Sequence, residues 1–297
     1  MKKHEQTEAE FLKNYDSSMY ERPSVTVDMV IFTVLDRPHK NFRKLAERDL
    51  KVLLVRRGGH PFKGHWALPG GFVHATESVD EAAVRELAEE TGVRNVYMEQ
   101  LYTWGDLNRD PRTRVISCSY MALIDSTHLK LQAGDDAADA QWFTVAKTLT
   151  KESKTITQTG ASLKQRFSLS LEADEISIQP QLEKTIKATG KNRIETERIL
   201  DPGDLAFDHA RMISYALDRL RNKAEYTDIV FHLMPELFTL TQLQQVYETI
   251  LGSELLKANF RRKIEDKVVE TPHYAEFAGH RPSKLYKMAT IQPFDAE

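Results

Sequence analysis

Glu86, Glu89 and Glu90 stand at i, i+3 and i+4 of Arg85-Glu-Leu-Ala-Glu-Glu-Thr-Gly-Val93. At about 100° per residue, a helix would bring their carboxylates to one face. Three like charges held there repel one another unless a hard divalent cation neutralises them, and donors that are all oxygen select Mg2+ or Mn2+. On its own, Glu-x-x-Glu-Glu would be an ordinary solvated stripe of a surface helix. The chain offers more: Gly71, Glu77, Arg85, Glu86, Leu87, Glu89, Glu90, Gly92 and Val93 form one spaced pattern from residue 71 to residue 93. Around it lie candidates for anion recognition. Arg56 and Arg57 precede the pattern, and Arg112 and Arg114 follow it in Arg109-Asp-Pro-Arg-Thr-Arg114. Guanidinium forks suit phosphate oxygens, although strand-end arginines are as often merely solvated. Phe62 and Trp66 could stack on a base or belong to the core. His60 and His74 have no zinc-type company and read as loop residues.

The elements that must position these groups follow from periodicity. Val25–Leu35 and Lys51–Arg56 are apolar runs that predict buried strands. Further strands are expected at Trp66–Val73, broken by Pro69-Gly-Gly71, at Val115–Ile124 and at Gln141–Val145. One helix interrupts them, opened by the capping box Ser78-Val-Asp-Glu81 and stopped at Gly92. From Lys147 to Gly160 the text is rich in Thr and Lys and predicts an exposed excursion, with a hairpin possible at Phe167–Leu171 and Ile176–Ile178. Leu205, Phe207, Ile213, Ala216, Leu217 and Leu220 recur at helical spacing, so a helix is expected over Asp204–Arg221. Gln242–Leu251 and Glu254–Glu265 then read as two helices, the second capped by Ser253. Val268–Pro272 and Lys284–Met288 read as two strands. Helix, short turn, helix and two-stranded wing is the winged-helix pattern.

The spaced pattern resembles the Nudix box, and the chain is similar to the Nudix hydrolase family. That resemblance implies an α/β (α+β) fold, a mixed sheet between helices, and metal-assisted attack of water on a nucleoside diphosphate derivative. Carried over, Glu86, Glu89 and Glu90 are metal-ligand and catalytic carboxylates, with a backbone carbonyl at Gly70 or Gly71 nearby and Glu86 or Glu90 as proton acceptor. Glu77 and Arg85 are the ion pair that holds the loop to the helix, and Gly71 belongs to the same structural set. Arg56, Arg57, Trp66, Arg112 and Arg114 are the expected substrate-binding residues, since Arg109–Arg114 resembles a segment of Nudix proteins that act on ADP-ribose.

Beyond the box, eight basic residues face four acidic ones between Lys257 and Lys287, in a chain whose net charge is −3. Lys257, Asn259, Arg261 and Arg262 on the second helix and Arg281 at the wing are candidates to contact double-stranded DNA. Pro235–Glu248, Asn259–Lys263 and Pro282–Tyr286, with Phe207-Asp-His-Ala210, resemble the Nudix-related transcriptional regulators of the NrtR type. The resemblance implies an ADP-ribose-sensing regulator of NAD-related metabolism, paired as a homodimer on its operator. Its box, often degraded in that family, is intact here, so Mg2+-dependent hydrolysis of ADP-ribose is also expected. The competing expectation is a plain hydrolase with an accessory C-terminal domain. The expected division is residues 1–222 for the Nudix domain, with an insertion at about 147–200, and 223–297 for the winged helix.

Composition agrees with this division and narrows it. The 297 residues are 41% hydrophobic and 29% charged, which excludes collagen-like and wholly disordered classes. A lone Cys118 cannot form an internal disulfide or a zinc cage, and reads as a structural thiol. No run approaches the roughly 18 apolar residues of a membrane span. Met1–Glu10 lacks the apolar core of a signal peptide, so a cytoplasmic protein without a membrane partner is expected.

Overall fold

The structure is a computed structural model that describes residues 7–37, 46–129, 140–275 and 282–289. A short helix α1 (Glu8–Asn14) precedes strand β1 (Ser24–Asp36). Then come β2 (Arg48–Arg56), β3 (Trp66–Ala67), β4 (Gly70–Phe72), helix α2 (Val79–Thr91), β5 (Tyr97–Trp104) and β6 (Val115–Leu123). A run of strands follows: β7 (Ala140–Ile156), β8 (Ala161–Ala173), β9 (Ile176–Ile178), β10 (Gln181–Thr189) and β11 (Asn192–Asp201). The C-terminal part holds α3 (His209–Tyr226), α4 (Leu240–Leu251), α5 (Lys257–Ile264), β12 (Val268–Ala275) and β13 (Ser283–Met288).

β1 to β11 form one mixed sheet in the order β11-β10-β8-β7-β2-β1-β6-β5, with β3 on β2, β4 on β1 and β9 on β8. β1 and β6 run parallel, whereas β1 pairs antiparallel with β2 and with β4. The apolar run of β1 serves both faces, because successive side chains point to opposite sides of a strand. Val27, Met29 and Ile31 pack with Ala82, Ala83 and Leu87 of α2. Val30, Phe32 and Val34 belong to the other core, with Met212, Ile213, Ala216 and Leu217 of α3. The expected sheet between helices is therefore present.

Four local expectations need correction. The 147–200 region is an ordered part of the sheet, not an excursion. Thr and Lys alternate there along strands whose outer stretches expose both faces, so polarity marked solvent contact and not the absence of a strand. The hairpin within it does form, with Leu171 opposite Ile178. The break expected at Pro69-Gly-Gly71 is present but lies at Leu68 and Pro69, since Gly70 and Gly71 already belong to β4, which pairs with a different neighbour from β3. The helix expected from Asp204 begins at His209, because Phe207 has a left-handed backbone (φ 52°) that cannot continue a helix. The second winged-helix helix starts at Lys257 with Leu256 at its cap, and Ser253 does not cap it. β5 and α1 carried no expectation. Cys118 is half-buried on β6 beside Thr103.

The winged-helix elements do not form a core of their own. Leu243, Val246, Tyr247 and Ile250 of α4, and Phe260 and Ile264 of α5, continue the cluster that begins under the sheet. Thr249 Oγ1 donates to the carbonyl of Arg48 at 3.2 Å, and Arg221 Nε donates to the carbonyl of Ile250 at 3.1 Å. The division expected after residue 222 falls inside α3.

One cooperative unfolding transition follows. Tryptophan fluorescence, which reports the sheet through Trp66, Trp104 and Trp142, and far-ultraviolet circular dichroism should give coincident denaturant curves. Leu217→Ala should lower stability by about 2–5 kcal/mol in both signals. Loss of helical signal before tryptophan exposure would contradict a shared core.

Candidate functional site

The Gly-rich turn between β3 and β4 meets α2 closely. A Cβ at Gly71 would stand 2.2 Å from Glu86 Oε1, and one at Gly70 would stand 2.2 Å from the carbonyl oxygen of Val27. At Gly70 the neighbour is backbone and only glycine permits the approach, whereas at Gly71 the neighbour is the carboxylate end of the Glu86 side chain. Helix α2 starts at the expected capping box, with Ser78 accepting from the Glu81 amide and Glu81 accepting from the Ser78 amide, and it ends at left-handed Gly92. Arg85 is the counter-ion of the acidic face. Its guanidinium donates to both Glu77 oxygens (3.1 and 2.8 Å), to Glu86 at 2.6 Å, to Glu89 at 3.3 Å and to the carbonyl of Phe72 at 3.2 Å. Hydrogen bonds from Arg85, then from the His74 amide, pull the Glu77 carboxyl down to about 2. Glu90 moves the other way: burial, then the charges of Glu86 and Glu89, raise it.

All three carboxylates offer hard oxygen donors, and the mutual repulsion that raises Glu90 is the kind a cation relieves. The donor set therefore fits a divalent ion. Among the described residues, however, no three acidic, His or Cys side chains converge as a ready cage. Arg85 Nη1 instead bonds Glu86 at 2.6 Å and Glu89 at 3.3 Å.

Beside this turn lies a cavity of about 150 Å³, lined by Asp28, Arg57, Gly70, Phe72, Arg112 and Phe207 among others. Arg57 donates to the carbonyl of Pro61 at 2.8 Å and lies 4.9 Å over the Phe207 ring. Arg112 pairs with Asp110 at 2.7 Å and lies 5.6 Å from the Phe72 ring and 5.9 Å from Phe207. At its base is Asp28, only 9% exposed. Burial pushes this carboxyl up, but hydrogen bonds from His209 and Ser117 and the charge of Arg109 outweigh it and leave Asp28 below the ordinary range. His209 Nδ1 accepts the Leu68 amide at 2.8 Å, so its proton sits on Nε2, 3.5 Å from Asp28 Oδ1. Arg109 forms a bidentate pair with Asp208 at 3.0 and 2.7 Å. A second hollow of about 450 Å³ on the outer face of α2 is lined by Arg85 and Glu89 among others and gathers no aromatic ring.

The structure thus brings Arg57, Arg112, Gly70 and Gly71 together, next to Glu86. It does not bring Trp66, whose ring is 6% exposed against Phe143. Arg56 donates to the carbonyl of Gly64, Arg114 to that of Asp106, and neither lines the cavity. Asp28, Phe72, Arg109, Phe207 and His209 line it without having been singled out as site residues. Phe207-Asp-His-Ala210 stood out in the sequence, but with no spacing to tie it to the box. On α5, Lys257, Asn259, Arg261 and Arg262 are exposed, whereas Lys263 donates to the carbonyl of Ala224 at 3.2 Å. Arg281 lies outside the described residues.

Comparison with known proteins matches two families to the two halves of the chain. Residues 39–164 match the NUDIX domain family, and residues 230–288 match the NrtR DNA-binding winged helix domain. The chain is 34% identical over 292 residues to the ADPR responsive transcriptional repressor NtrR of Acinetobacter baylyi, covering 97% of this chain and 91% of that one. It is 41% identical over 132 residues to the ADP-ribose pyrophosphatase of Methanocaldococcus jannaschii, covering 44% of this chain and 67% of that one. The crystal structure of Shewanella oneidensis NrtR complexed with a 27mer DNA superposes with a TM-score of 0.60 at 29% identity, covering 89% of this chain and 93% of that one.

The Glu77 carboxyl makes a pH test. Its folded value lies near 2 against an ordinary 4.5, so its stabilising effect is present above about pH 4.5 and is lost as pH falls towards 2. Glu77→Gln should melt lower than wild type at pH 7, and the gap should close between pH 4.5 and 2. A gap that stays constant across thermal melts in that window would refute the assignment.

Proposed function

Because the chain belongs to the family of Nudix-related transcriptional regulators that carry the NrtR winged helix, we propose that it is an ADP-ribose-responsive DNA-binding regulator of NAD-related metabolism. The observation that carries this reading is the cavity itself. It combines two guanidiniums and two phenyl rings beside the Gly70–Gly71 turn, and it opens at the start of the helix on which the winged helix packs. Arg57 and Arg112 hold the diphosphate, and Phe72, 45% exposed, gives the ligand an apolar face. Lys257, Asn259, Arg261 and Arg262 meet DNA, with Asn259 and the arginines directed at base edges and Lys257 at phosphate. Two copies on paired half-sites make the functional species.

A second reading rests on the intact box: the chain also hydrolyses ADP-ribose. Glu86, Glu89 and Glu90, with the Gly70 carbonyl, would hold Mg2+ or Mn2+, which when bound neutralises diphosphate charge and acidifies a water. Arg85 keeps Glu77 in place and so fixes the turn against α2. Glu90, raised by burial and then by the charges of Glu86 and Glu89, is with Glu86 a candidate to take the proton.

Fluorescence anisotropy on a duplex from the chain's own upstream region should show salt-sensitive, sequence-selective binding. Arg261→Ala or Arg262→Ala should weaken it about tenfold, within the 1–3 kcal/mol of a lost arginine contact. Binding indifferent to sequence at about 0.15 M salt would sink the regulator reading. For hydrolysis, Mg2+-dependent release of AMP from ADP-ribose should vanish in Glu89→Gln and in Glu90→Gln. A wild-type protein that releases none would sink the second reading alone.

A further inference from the structure

We propose that Phe207 and Asp208 are the switch by which an anionic nucleotide in the cavity acts on the DNA-binding half of the chain, an inference that rests on reading this cavity as the ADP-ribose site. The two residues immediately precede α3, whose 18 residues span about 27 Å. Its first turn lies in the cavity, through His209. Its last turns hold the winged helix, through Arg221 on Ile250, Lys263 on the Ala224 carbonyl, and the packed side chains of Leu217, Leu220 and Ala224. A change at the first turn therefore reaches α4 and α5 through one rigid element.

The start of α3 is held by a clasp. Trp66 donates its amide to the carbonyl of Asp204 at 3.0 Å and accepts from the Ala206 amide at 2.8 Å. Leu68 donates to His209, and Arg109 holds Asp208. All of these partners lie on segments that border the cavity. Inside the clasp sits the anomaly: Phe207, a bulky residue with φ 52°, a conformation it adopts only where its surroundings compel it. Those surroundings are the Phe62 ring, with centroids 4.7 Å apart, and the guanidiniums of Arg57 and Arg112. The His209 ring, with centroids 5.4 Å away, is a fourth neighbour, and two of the four are the cations that would grip a diphosphate.

A ligand can shift a two-state element only through contacts that differ between the states. Here the difference is explicit. Diphosphate oxygens placed between Arg57 and Arg112 draw both guanidiniums off the Phe207 ring, and the left-handed state loses two of its four supports. Return of Phe207 to the right-handed region then lets α3 wind one residue further back, moves Asp208 against Arg109, and turns the helix under α4 and α5.

The test uses the full chain, ADP-ribose and the upstream duplex. DNA affinity is measured without ligand and with ADP-ribose saturating for each variant, so that altered ligand affinity does not enter the ratio. Wild type should show at least a fivefold ratio. Phe207→Gly, which tolerates φ 52° without a ring, should bring the ratio below about 2, and Phe207→Tyr should restore it. In wild type, saturating ADP-ribose should change amide hydrogen exchange at residues 209–213. A Phe207→Gly ratio equal to that of wild type overturns the proposal, as does unchanged exchange there in ligand-bound wild type. A wild-type chain that binds no ADP-ribose, or whose DNA affinity ignores it, overturns the functional reading and this inference together. A chain with normal wild-type coupling and an equally coupled Phe207→Gly variant overturns this inference alone.

Discussion

Burying the carboxylate of Asp28 obliges separate parts of the chain to meet. A charge on the central strand of a sheet, 9% exposed, is tolerable only with partners. They come from three places: the Ser117 hydroxyl on β6, Arg109 in the loop before it, and His209 at the head of α3. Arg109 in turn recruits Asp208. The result is a buried cluster in which β1, β6, the Arg109 loop and α3 share one electrostatic account, and none can be displaced without leaving another group unpaired. The Gly70–Gly71 turn hangs on the same framework, since the Met29 amide donates to the carbonyl of Pro69 at 2.8 Å and the Leu68 amide is held by His209.

Two networks of opposite character therefore flank the turn. On the α2 side, one cation, Arg85, serves Glu77, Glu86 and Glu89, an arrangement rich in negative charge and open to a metal. On the α3 side, Arg57, Arg109 and Arg112 face Asp28, Asp110 and Asp208, with phenyl rings between the exposed guanidiniums. On the function proposed above, a nucleoside diphosphate would span this boundary, with its oxygens towards the arginines and a cation.

Much of this was legible before any coordinates. The capping box at Ser78 and Glu81, the Gly92 stop, the apolar run of β1 and the helix–helix–wing order all rest on local rules that packing reinforces. What failed did so for reasons of scale. Thr and Lys between residues 147 and 160 look loop-like because composition averages over both faces of a strand, and here both faces meet water. Phe207 fits a helical period by spacing, but its ring is claimed by Phe62 and two arginines, and tertiary contact sets its backbone. Trp66 looked like a ligand platform because aromatic type says nothing of direction. Asp28 was hidden inside an apolar run, and its partners lie about 90 and 180 residues away, beyond the reach of any periodicity.

The continuous core between the sheet and α4 has a consequence for how such chains change over generations. Modules joined by linkers can be exchanged by recombination, each arriving with its own stable interior. This winged helix borrows its interior from α3 and from β2, so a foreign DNA reader spliced in after α3 would face an apolar surface shaped for another partner. On the reading proposed above, new operator preferences would then arise by point substitution on the exposed face of α5, where Ala258, Asn259 and Arg262 are free of that core. Lineages that share this architecture should diverge fastest on that one helical face.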